Sequence, residues 1–199
     1  LIGIFTVPAA LMFLAFGQLV ANTLYFGISN ADANYLGLTL SAFALGLIPV
    51  SINLVLLRGL NAFENLKSQV IGNFIMNLIS IALSFLVASW FEPKWVTVGL
   101  AGIFTIHYFI GAGISFYLIR RHQVRLPLLS ISLYYLRLIL IFTLVLAPIW
   151  LLRGEIPGGN LISLLLVTSV SAVFYLLIAK LLKISEVTDL LKVIWSRKV

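Results

Sequence analysis

Residues 69–90 read QVIGNFIMNLISIALSFLVASW, a stretch without a single charged side chain. Wound as a helix it rises about 30 Å, the thickness of a bilayer's hydrocarbon core, so Val70 to Trp90 is expected to cross a membrane. Its polar residues are not scattered. Gln69, Asn73, Asn77, Ser80 and Ser84 recur at helical spacing and so share one face. An amide or hydroxyl turned to lipid has nothing to hydrogen-bond, so that face is expected to look into a protein interior or a wet cavity.

Five more runs have the same character, and the composition as a whole agrees. The 199 residues are 62% hydrophobic and 10% charged, against about half and about a quarter in a soluble domain. The expected fold class is an all-α integral membrane protein with six transmembrane helices, at Ile2 to Phe26, Leu36 to Leu57, Val70 to Trp90, Val96 to Ile119, Leu129 to Trp150 and Leu161 to Leu182. The chain starts inside an apolar run with Leu1-Ile2-Gly3, and is read as the C-terminal part of a longer protein. Cysteine is absent, which excludes disulfides and thiolate chemistry within this chain.

The net charge is +7, but the positive residues stand beside the ends of apolar segments rather than on one face of a soluble domain, so nucleic acid is not an expected partner. Arg58, Lys67, Arg120, Arg121, Arg125, Arg137, Lys180, Lys183, Lys192, Arg197 and Lys198 fall on one side, leaving Lys94 and Arg153 on the other. By the positive-inside rule the first side is cytoplasmic, and the C-terminus lies there. Trp90, Trp95 and Trp150 fall at the opposite boundary, where interfacial aromatics belong. Ser185 to Trp195 reads as a short amphipathic helix on the inner surface.

Polar positions recur in other segments. Gln18 and Asn22 share a face of the first segment, where Pro8 invites a kink. Gly46, Pro49 and Asn53 form a similar face of the second. Together Gln18, Asn22, Asn53, Asn73 and Asn77 are the candidates for lining or gating a cavity. Asn, Gln and Ser also tie helices together, and that alternative stands beside the first. Gly99, Gly102, Gly111, Gly113 and Ser115 are expected to allow close helix packing, and His107 is expected as a hydrogen-bonded core histidine. Arg137, about two turns into the fifth segment, either snorkels to the inner headgroups or contacts an anionic lipid. Paired intramembrane carboxylates, metal-ligand histidine pairs and a phosphate-cradling glycine loop are all missing, so neither an enzyme nor a cofactor or metal is expected.

The stretch Gly46-Leu47-Ile48-Pro49, then Leu56-Leu57-Arg58-Gly59-Leu60-Asn61-Ala62-Phe63-Glu64-Asn65 and on to Lys67-Ser68-Gln69 resembles the signature connection of the MviN/MurJ lipid II flippases. Arg58, Ala62 and Glu64 match that motif, and Lys67 stands where the family has a basic residue. Leu60-Asn61 replaces a Phe-Tyr pair. Pro8-Ala9-Ala10, Gly27, Asn77, Val98-Gly99-Leu100-Ala101 and Arg120-Arg121 agree with the family in order and spacing.

The resemblance implies the second lobe of a two-lobe exporter plus an additional C-terminal helix pair. Residues 1–122 would supply the last four helices of that lobe, 123–184 the additional pair, and 185–199 a cytoplasmic tail. It implies transport of lipid-linked peptidoglycan precursor by alternating access in the bacterial cytoplasmic membrane, with a lipid-linked substrate, membrane lipids and an N-terminal lobe of the same protein as partners. The additional pair would line an apolar groove for the lipid tail. An exporter of another polyprenyl-linked oligosaccharide and a membrane scaffold without transport remain the alternatives.

Overall fold

The computed structural model describes residues 2–25, 27–63, 66–122, 126–152 and 159–182. They form six helices and, among the described residues, no strand: α1 (Ile2–Leu24), α2 (Asn30–Ala62), α3 (Leu66–Trp90), α4 (Pro93–Arg121), α5 (Leu128–Leu151) and α6 (Asn160–Leu181). Each is long and apolar enough to cross a membrane. Glu64 of the family motif, Arg125, Arg153 and the expected tail helix lie outside the described residues.

The sequence places the ends of α2 well inside its true bounds. Its 33 residues rise about 50 Å, more than a bilayer core requires. Hydropathy sees only the apolar part, whereas the helix begins where its backbone is capped. The Ser29 hydroxyl accepts from the Asp32 N–H at 3.1 Å and donates to the Asp32 carboxylate at 2.7 Å, a reciprocal cap that starts a helix outside the apolar stretch. Gly27, at φ +83°, makes the turn before it in a backbone region that side chains disfavour. The bend of α1 also falls elsewhere than expected. Non-helical dihedrals occur at Phe16 (φ −125°, ψ 22°), two turns beyond Pro8.

Packing divides the chain into two compact units, one of Leu1–Gly37 with Leu129–Val199 and one of Leu38–Leu128. In the first, α1 meets the start of α2 at Gly17 and Gly37, and α1 packs on α6. In the second, α3 and α4 form an antiparallel hairpin across the Phe91-Glu92 turn. Pro93 opens α4, a position where its missing N–H is no loss. The Lys94–Glu92 ion pair at 2.8 Å is well exposed, so it adds little to stability.

Glycines on α3 and α4 make the hairpin close. A Cβ at Gly111 would collide with the Met76 thioether and press on the Asn53 amide, one at Gly72 would meet Ile114 at 3.0 Å, and one at Gly99 would meet Val87 at 2.6 Å. Gly102 and Gly113, expected to pack in the same way, have open space where a Cβ would stand. At the far end of this unit Leu56, Leu60 and Ile119 are buried together, and Phe63 stacks on the His122 ring at 4.8 Å and 4°. Those contacts bring the end of α2 to the end of α4. Arg58, Lys67, Arg120 and Arg121 therefore share one end of the unit, and Trp90, Glu92, Lys94 and Trp95 the other.

Candidate functional site

The polar face of α3 separates into two parts once its neighbours are in place. Gly72 and Met76 are the buried edge of the helix. Ser80 is spent against α4, its hydroxyl 2.7 Å from His107 Nδ1. The Ser84 hydroxyl donates to the Ser80 carbonyl at 2.8 Å. His107 is half-buried and hydrogen-bonded, as a core histidine should be.

Asn73 and Asn77 are different. Both are exposed, one position round the helix from the buried Gly72 and Met76. Around them Val70, Ile71, Phe74, Ile75 and Leu78 are also exposed. Two amides thus stand in an otherwise apolar, open face of a membrane-crossing helix. An amide moved from water to hydrocarbon without a partner costs roughly 4–8 kcal/mol, so this face needs water or a polar partner. Gln69, one turn before Asn73, is half-buried.

Asn53 occupies another environment. It is 3% exposed, and its Oδ1 accepts from the Ser115 hydroxyl at 2.7 Å, tying α2 to α4. About three turns away the Thr105 hydroxyl donates to the Ala42 carbonyl at 2.7 Å, with Phe104 and Thr105 against Gly46. The pairing of Asn53 with Ser115 was not legible from either residue alone. A double-mutant cycle on Asn53→Ala and Ser115→Ala, read by thermal unfolding in detergent, is expected to give a coupling of about 0.6 kcal/mol, and at most about 1.7. Additive effects of the two changes would contradict this bond.

In the first unit Gln18 is exposed and Asn22 half-buried on α1. Arg58, Ala62 and Lys67, the described members of the family motif, are exposed. Arg137 is exposed on α5, on the same open face as Leu133, Leu140 and Leu144. The unit also holds a cavity of about 410 Å³ between α1, α5 and α6, whose walls are nearly all apolar. No polar motif announced that cavity in the sequence, since its walls are ordinary apolar residues from three separate segments.

These features define a multi-pass α-helical membrane protein with an open pair of amides on one helix and an apolar cavity beside the last two. The chain matches the family described as lipid II flippase MurJ over residues 1–171, and it belongs to that family. It is therefore of the transporter class, in the bacterial inner membrane. No curated protein matches it.

Proposed function

We propose that this chain forms part of a flippase that moves lipid-linked peptidoglycan precursor across the cytoplasmic membrane by alternating access. The observation that carries the reading is the exposed pair Asn73 and Asn77 on a helix whose open face is otherwise apolar. A headgroup of sugars and peptide needs hydrogen bonds as it crosses, and open amides supply them where apolar side chains cannot. Gln18 and Asn22 are assigned the same role on α1. Asn53, whose amide oxygen is already engaged, contributes by holding α2 to α4.

In this reading α1 to α4 are the last helices of the second lobe, and α5 and α6 the additional pair. The cavity beside α5 and α6 accepts part of the polyprenyl tail, for which a nearly all-apolar wall is suitable. Arg137 contacts the anionic headgroup region, its guanidinium reaching from an apolar helix face toward phosphate. Both ends of the chain are cytoplasmic, as the charge distribution favours. Arg58, Ala62 and Lys67, with Glu64 of the same motif, are assigned to the cytoplasmic connection, and the Leu56, Leu60 and Ile119 core and the Phe63–His122 stack steady its α2 side.

Complementation tests the reading. The full-length gene is expected to restore growth and outward exposure of lipid II in a flippase-depleted strain. Failure there, with rescue of a strain lacking export of another polyprenyl-linked glycan, would assign the protein to that substrate. Rescue of neither, at normal membrane levels, would favour a scaffold.

A further inference from the structure

Proline at position 8 has no N–H, so the carbonyl one turn earlier, that of Ile4, lacks its helical donor. Ile4 is 2% exposed, and a bare carbonyl inside a membrane protein must find another partner. It finds one in α6. The Tyr175 hydroxyl donates to the Ile4 carbonyl at 3.3 Å. Tyr175 is itself 3% exposed, with its ring edge-on to Phe142 of α5 at 5.3 Å and 80°. Ile4, Pro8, Phe142 and Tyr175 all line the cavity of about 410 Å³.

We propose that Tyr175 is a positioning residue, whose hydroxyl, bonded to the carbonyl that Pro8 leaves bare, ties α6 to α1 and sets the width of the cavity between them. Each part of the device answers another. Proline creates the acceptor, burial makes leaving it bare unfavourable, and the Phe142 ring holds the tyrosine in position. Cysteine is absent from the chain, so labels can be placed without clearing native thiols from these helices. The tie itself does not depend on what enters the cavity; its effect on transport rests on the tail-binding reading above.

The test uses the full-length protein with spin labels on Phe5→Cys and Leu176→Cys, two exposed positions that line the cavity from α1 and from α6. Tyr175→Phe keeps the ring and removes only the donor. It is expected to broaden the inter-label distance distribution when Pro8 is present. In a Pro8→Ala background the Ile4 carbonyl regains a helical N–H, and the same change is expected to broaden the distribution far less. Equal broadening in both backgrounds, or none with Pro8 present, would overturn the proposal. Transport by Tyr175→Phe is expected to fall about threefold, the worth of one average interhelical hydrogen bond in a membrane. Broadening with unchanged transport would keep the tie and remove the tail-binding role of the cavity.

Discussion

Replacing Asn73 and Asn77 together with Leu is expected to lower lipid II transport by the full-length protein tenfold or more, while its amount in the membrane stays normal. Both amides are exposed on α3, and neither has a side-chain hydrogen bond among the described residues. Two hydrogen bonds to a passing headgroup or its water, at about 1 kcal/mol each, correspond to roughly a thirtyfold change in rate. Leucine is the more favourable residue in a bilayer, so insertion does not suffer. Ser84→Ala is the matched control. Its hydroxyl already donates to the Ser80 carbonyl, and its loss is expected to change transport by less than about twofold. Outward exposure of lipid II, normalised to protein level, measures both. Normal transport by the double variant would remove α3 from the substrate path.

The second large effect is structural. Gly37→Val is expected to leave little folded protein, because a Cβ at position 37 would lie 2.6 Å from the Gln18 nitrogen and 2.8 Å from its Cα. Those are backbone atoms and cannot rotate aside. The mirror contact is equally close, with a Cβ at Gly17 falling 2.6 Å from the Gly37 carbonyl oxygen. Overpacking commonly costs about 1–3 kcal/mol, and a backbone-to-backbone clash belongs at or above the top of that range. Gly113→Ala, with no neighbour within 4 Å of its Cβ, is expected to stay within about 0.5 kcal/mol of the parent. The fraction of monodisperse protein after detergent extraction, and its melting temperature, separate the two. Equal yields would mean that α1 and α2 do not cross at these glycines.

The contrast between those glycines shows where sequence reading stops. Gly17 and Gly37 carry a backbone-to-backbone helix contact in the first unit, yet they stand in their segments without a motif around them. Gly102 and Gly113 stand in a glycine-rich segment that invites a packing role, and they face open space. The α3 stripe behaves in the same way. Its five polar residues share a helix face by spacing alone, but Ser80 is spent on His107, 27 positions further along. Asn77, three residues from Ser80, is left open.

The sequence by itself determined the six crossings and the gathering of charge between them, because the length and apolarity a bilayer demands are local properties that add along the chain. The Arg58 to Lys67 motif also points to the family, because it is carried by neighbouring residues. Only the tertiary structure decided which polar groups satisfy one another and which stay open: Asn53 with Ser115, Ser80 with His107, Tyr175 with the carbonyl freed by Pro8, and Asn73 and Asn77 with neither. In water an apolar stripe marks the inner face of a helix, but in lipid every face is apolar. The rotation of each helix is then set by contacts such as Gly17 against Gly37, between residues far apart in sequence.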